Sequence, residues 1–298
     1  MQTQNPRFTR DKLAAALADV CDQADLDPAG AELLRFTNNA VYSLVSAPVV
    51  VRIVGSETLR HRVAKVVTVA EHFARHDVPA VRLFPGIEQP VSAGEHVATL
   101  WWRASERPVR SSPADLARLL RQVHALPVPE GVPGWSPLTD VRSRVADAEE
   151  LDLAARRFLL DRCDEVQANL DVLDFPLSPA LVHGDAHLGN VLAGEDGPLL
   201  CDFDSSGVGP PEWDLMPVAL GVLRFGEPMA VYEELADAYG FDVMAWDGFE
   251  VLRAARELKL TTSVLPILRS HPDVRPEFER RLTDLRAGNR EARWTRYR

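Results

Sequence analysis

The sequence predicts an α+β fold, with a small strand-rich N-terminal lobe and a larger, mainly helical C-terminal lobe. Three observations point to it. β-Branched and aromatic residues gather before residue 103, in runs such as 40–54 and 96–102. Apolar residues at three- and four-residue spacing dominate after residue 112, and one strand-like stretch, residues 180–203, interrupts them. The chain has 298 residues, 46% of them hydrophobic and 26% charged, enough to bury a large core as one big domain or two lobes. The change of texture places the lobes at residues 1–102 and 103–298, joined through the segment 100–108.

In chain order, Thr9 is placed to cap a helix carrying Leu13, Leu17, Val20 and Ala24 on one face. Residues 40–54, broken at Ala47-Pro48, read as two antiparallel strands with Arg52 inside the second. Val63, Val66, Ala70 and Phe73 predict a helix over 57–77, which Pro79 prevents from continuing. Strands are expected at 81–84 and 96–102, separated by a turn holding Pro90 and Gly94. Ser112-Pro113-Ala114-Asp115 has the form of a capping box with proline at the first helical position, and Leu116, Leu119, Leu120 and Val123 form the buried stripe that follows. One or two long helices fill 140–173, and three more follow Trp213. The arginine-rich end, with Leu282, Leu285 and Trp294 interspersed, reads as an amphipathic helix in preference to a basic binding arm.

Composition narrows the function. No run of 18 apolar residues occurs and the first residues lack the apolar core of a secretion signal, so a cytoplasmic protein that neither spans nor binds membranes is expected. Cys21, Cys163 and Cys201 are scattered, which argues against a disulfide framework or a thiolate zinc site. A formal charge of −11 disfavours nucleic acid and would attract a cationic small molecule.

The segment HGDAHLGN, residues 183–190, carries the chemistry and has two parses. His183-x-Asp185-x-His187 looks like alternating metal ligands of a metallohydrolase, but the other histidines form no spaced cluster to complete such a site. The other parse starts from the hairpin expected over 180–203. If its turn is centred between Glu195 and Asp196, Asn190 lies opposite Cys201, and Asp202 falls beside Asn190 and near the loop of Asp185. Three oxygen-bearing side chains there suit Mg²⁺, which leans on one or two carboxylates plus substrate phosphates. The set matches a phosphoryl-transfer loop, with one Asp at the accepting hydroxyl and an Asn and a second Asp on Mg²⁺. His183 then braces the loop through backbone bonds. Asp214 reads either as an acceptor for that loop's backbone N–H groups or as a helix cap, and Asp204 as a metal contact or a surface group.

HGDAHLGN and LLCDFDSSGVGPPEWDL, with the spacing between them, resemble the aminoglycoside phosphotransferase family, small-molecule kinases that include choline and homoserine kinase relatives. The resemblance implies a protein-kinase-like two-lobed fold, Asp185 as catalytic base, Asn190 and Asp202 on Mg²⁺, and ATP in the cleft between the lobes. It implies an ATP- and Mg²⁺-dependent transfer to a hydroxyl of a small molecule such as an aminoglycoside, amino sugar or amino alcohol. Where the family has a strand lysine for the α- and β-phosphates this chain has Arg52, either a phosphate contact or the partner of a structural carboxylate. The family's helix glutamate has no evident counterpart: Lys65 and Val66 stand in its neighbourhood, and Glu71 is the nearest candidate. The covering turn lacks glycine, with Asn38 and Asn39 in its place. Trp101 and Trp102 would line the adenine, or pack between the lobes. The missing glycine turn motivates the alternative of a nucleotide-binding pseudokinase with a regulatory role. Glu212, Glu233, Glu234, Asp237 and Asp242 either line an amine pocket or form a solvated face.

Overall fold

A computed structural model describes residues 10–36, 39–54, 57–105, 110–269 and 271–297, with the side chains of 10, 11 and 57–61 excepted. Thr9, Asn38 and residues 106–108 of the expected connector lie outside the described residues. In chain order the elements are α1 (Arg10–Gln23), β1 (Glu32–Phe36), β2 (Asn39–Ser43), β3 (Val49–Val54), α2 (Glu57–Arg75), β4 (Val91–Ala93), β5 (His96–Trp102) and α3 (Pro113–His124). They continue with α4 (Thr139–Asp147), α5 (Leu153–Asp171), β6 (Ala180–Val182), β7 (Val191–Gly194), β8 (Gly197–Leu200) and β9 (Gly207–Gly209). Four helices follow: α6 (Glu212–Phe225), α7 (Met229–Tyr239), α8 (Phe249–Thr262) and α9 (Arg275–Ala287).

The chain divides into two compact units, one of Met1–Ser111, Leu126–Pro133 and Gly189–Ser206, the other of Ser112–Ala125, Gly134–Leu188 and Gly207–Arg298. The division differs from a simple break at 102/103: Leu126–Pro133 and the β7–β8 hairpin, a two-stranded sheet of its own, fall in the first unit. Leu200 N–H donates to Pro79 O at 3.0 Å and Val81 N–H to Leu200 O at 2.9 Å. These bonds, with single bridges at Ala80 and Leu83, take the place of the regular strand expected over 81–84.

In the first unit the sheet order is β1-β2-β3-β5-β4, every pair antiparallel. Strand alternation decides which face each residue serves. Val49, Val51 and Ile53 of β3 join Leu13, Leu17 and Val20 of α1 in one buried cluster with Ala98 and Leu100 of β5. Arg52 therefore points to the other face, paired in register with Thr99. Phe203 contributes there as well, its ring centroid 5.1 Å from Phe73 of α2 and 6.1 Å from Trp101.

In the second unit α3 has the expected cap, with Asp115 N–H donating to Ser112 Oγ and Ser112 N–H to Asp115 Oδ2. Its stripe of Leu116, Leu119, Leu120 and Val123 is buried, largely against α7. The strands β6 and β9 pair antiparallel, Ala180 with Gly209 and Val182 with Gly207. Gly209 is required by space, since a Cβ there would lie 2.3 Å from Cβ of Trp135. Among the described residues four α-helices follow β9, where three helices were expected. The last one stops at Gly288, in the left-handed conformation, before Trp294. Trp294 is nevertheless buried, with the guanidinium groups of Arg224 and Arg281 4.5 and 5.0 Å from its ring centre.

Candidate active site

The loop after β6 is built around one carboxylate. Asp214, in the first turn of α6, has no exposed surface. Its Oδ2 accepts the His183 backbone N–H and its Oδ1 that of Gly184, each at 2.6 Å. His124 Nε2 lies 3.1 Å from Oδ2, while its Nδ1 lies 2.8 Å from the Tyr239 hydroxyl. Burial alone would raise the Asp214 pKa, but the bonds from His124 and His183 reverse this and hold it below the ordinary carboxylate value. Of the two sequence readings for Asp214, the loop acceptor is the observed one. No side-chain cap is made at the start of α6.

Gly184 turns with φ +80°, a conformation that glycine adopts without strain. Its carbonyl accepts from Trp213 Nε1 at 3.1 Å, Arg256 Nη1 at 3.0 Å and Lys259 Nζ at 3.2 Å. His183 is fully buried, and its Nδ1 accepts the Asp185 backbone N–H at 3.3 Å. It braces the loop through the backbone, as expected.

Asp185 follows with a side chain 36% exposed, and Arg256 Nη2 donates to its Oδ1. Burial works to raise its pKa, but Arg256, then Lys259 and His187, overcome that and set it far below the usual carboxylate range. Asp185 is thus a fixed anion, reachable from solvent, over a buried guanidinium. Arg256 and Lys259 were not singled out in the sequence. They stand three apart on α8, the only available signal, and nothing local ties them to residue 185.

The remaining candidates belong to the first unit. The hairpin turn is centred between Glu195 and Asp196, and Cys201 N–H donates to Asn190 O at 3.0 Å. Asn190 is buried. Asp202, the next residue after Cys201, has φ +68°, a left-handed backbone uncommon for residues other than glycine, asparagine and aspartate. An amide oxygen and a carboxylate are the hard donors that Mg²⁺ takes, so the donor set fits that ion when phosphate and water oxygens complete its shell. Among the described residues no group of three or more His, Cys, Asp or Glu is placed to hold a metal ion.

Arg52 is held by a carboxylate two residues beyond Asp202. Its Nη1 donates to Asp204 Oδ1 at 2.9 Å and its Nη2 to Asp204 Oδ2, a two-pronged pair. Lys65 Nζ donates to the carbonyls of Asp204 and Ser206 at 2.7 and 2.8 Å. Asp204, with a side chain 26% exposed, is the carboxylate that pairs with Arg52, the partner for which Glu71 was the candidate. Glu71 is exposed on α2. Trp101 is buried, its Nε1 donating to Thr99 Oγ1 at 2.8 Å, whereas Trp102 is 41% exposed with its ring edge-on to Phe84 at 4.9 Å.

The described chain has the protein-kinase-like fold of small-molecule kinases. It aligns with the amicoumacin kinase hAmiN, solved with AMP-PNP, Ca²⁺ and amicoumacin, at a TM-score of 0.69 and 14% identity, covering 96% of this chain and 98% of that one. A choline/ethanolamine kinase family protein from Mesorhizobium loti aligns at 0.64 and 20% identity, over 93% of each chain. The sequence model of the phosphotransferase enzyme family matches residues 31–255, and the chain belongs to that family. A curated relative, hydroxyurea phosphotransferase of Kitasatospora aureofaciens, is 31% identical over 160 residues, 51% of this chain and 43% of the relative's length. The chain thus spans less than half of that relative. Among the described residues no helix is long and apolar enough to cross a membrane.

Proposed function

We propose that the protein transfers the γ-phosphate of ATP to a hydroxyl of a small molecule, with Mg²⁺ held by Asn190 and Asp202. Asp185 orients the acceptor hydroxyl and takes its proton as the new O–P bond forms and the bond to the ADP oxygen breaks. When bound by Asn190 and Asp202, Mg²⁺ would offset the negative charge of the phosphates. Because Asp185 is a weak base beside Arg256, orientation is the larger part of its work, and its proton passes readily to solvent. The relatives named for amicoumacin, choline and hydroxyurea support a small polar acceptor.

The observation that carries this reading is the locking of the loop backbone at His183 and Gly184 onto the buried Asp214 carboxylate, which fixes an accessible Asp185. Asp185→Asn is expected to lower phosphate transfer from labelled ATP by about 10²- to 10⁴-fold while leaving the melting temperature close to that of the wild type. Turnover within a few-fold of wild type removes Asp185 from the mechanism.

A further inference from the structure

Helix α8 serves two places in its unit. Arg256 holds the loop of Asp185, while Arg253, Ala254 and Glu257 line a cleft of about 320 Å³ to which that loop contributes no residue. Arg224 of α6, residues of α5 and α9 and the segment just after α9 complete it. The volume lies at the small end of the range for ligand pockets, roughly 300–1,000 Å³. Val166, Val251, Ala254 and Leu285 give the cleft apolar surface, and the last three of these are only half-buried. The outer charges are paired with one another, Arg162 with Glu165 and Arg290 with Glu250.

The inner charges are almost wholly buried and meet at one oxygen. Arg224 Nε and Arg253 Nε both donate to Glu257 Oε1, at 2.7 and 2.8 Å, from side chains 2% and 8% exposed. Arg224 Nη1 donates to the carbonyls of Asn289 and Ala292, each at 2.9 Å, and Arg253 Nη2 to that of Arg290 at 2.6 Å. A guanidinium has five N–H donors, so this leaves the second terminal nitrogen of each arginine. Among the described residues no hydrogen bond is made by Arg224 Nη2, by Arg253 Nη1, which lies 3.8 Å from Glu250 Oε1, or to Glu257 Oε2. All three atoms belong to side chains that line the cleft.

Polar atoms of buried charged groups are costly to leave unpaired. An anion alone would engage the guanidinium nitrogens but face the open carboxylate oxygen, and an amine alone would do the reverse. A ligand that satisfies all three carries both charges a few bonds apart, because the three atoms surround a single carboxylate. We infer that the cleft binds a zwitterionic α-amino acid with an apolar side chain. Its carboxylate is received by Arg224 and Arg253, its ammonium by Glu257 Oε2, and its side chain by Val166, Val251, Ala254 and Leu285. The site shares helix α8 with the support of Asp185 but none of the residues assigned to phosphate transfer, and it does not depend on that assignment.

The test is thermal unfolding of the full chain without nucleotide, in leucine, 3-methylbutylamine, 4-methylpentanoate or glycine at tens of millimolar and matched ionic strength. The amine lacks the carboxylate of leucine, the acid its ammonium, and glycine its side chain. Leucine is expected to raise the melting temperature by about 2 °C or more, and the other three to leave it within error of the control. Ala254→Phe, which fills the cleft from its half-buried side, should abolish the leucine shift. No shift with leucine, an equal shift with the amine or the acid, or an undiminished leucine shift in Ala254→Phe overturns the inference. The comparison of compounds uses the wild-type chain, so it decides the case even where the variant fails to fold. No ATP enters the measurement, and the phosphate transfer of Asp185→Asn judges the catalytic reading separately.

Discussion

At the scale of single residues, the same side-chain type does opposite work according to its surroundings. Asp185 and Asp214 are both held ionised, the first by Arg256 at an accessible position, the second by His124 and two backbone N–H groups in full burial. Their pKa values are lowered on folding, so each contributes stability that is complete above the ordinary carboxylate value and is lost as pH falls through the folded value. Replacing Asp214 by alanine strands two backbone donors and an imidazole in the interior. We expect Asp214→Ala to destabilise the fold by about 3–5 kcal/mol in urea unfolding; a midpoint equal to wild type would mean that the loop has other support. Both roles of Asp214 weighed in the sequence are compatible with its place in the chain. Only the approach of β6 to α6 selected the loop acceptor.

At the scale of elements, β3, α2 and the turn after β8 are tied by Arg52, Lys65 and Asp204. Removing Asp204 leaves Arg52, with a side chain only 14% exposed, without its carboxylate. Asp204→Ala is expected to cost about 1–3 kcal/mol, since the pair is only partly buried. The double variant Arg52→Met/Asp204→Ala should recover part of that loss. Strict additivity of the two single changes in chemical unfolding would show that the pair carries no coupling. Most of the elements here were legible: the β-branched run in 49–54, the capping box at Ser112 and the symmetric turn at Glu195-Asp196 are local signals, and the structure follows each. The strand expected over 81–84 is reduced to one bridge, Leu83 with Trp101, and scattered backbone bonds, because Val81 bonds Leu200 while Arg82 and Phe84 bond Trp102 and Leu100 of β5. Glu71, the nearest candidate for the family's helix glutamate, is exposed on α2, and Asp204, far along the chain, is the carboxylate that closes on Arg52.

At the scale of the whole molecule, the nucleotide machinery proposed above should couple to global stability. A ligand at a hundred times its Kd stabilises the folded chain by about 2.7 kcal/mol. ATP is therefore expected to raise the melting temperature of wild type only when Mg²⁺ is present, and Asp202→Ala should abolish the rise; a shift unchanged by the substitution or by chelation of Mg²⁺ would remove Asp202 from the metal site. The sequence by itself determined the family, the split between a strand-rich and a helical part, and the loop with Asp185, Asn190 and Asp202, because these rest on patterns and spacings local to the chain. Only the tertiary structure decided what surrounds those residues. That Asp204 holds Arg52 and that Arg256 and Lys259 lie against the loop of Asp185 are facts of contact between distant segments, and electrostatic fields follow distance in space whatever the separation in sequence.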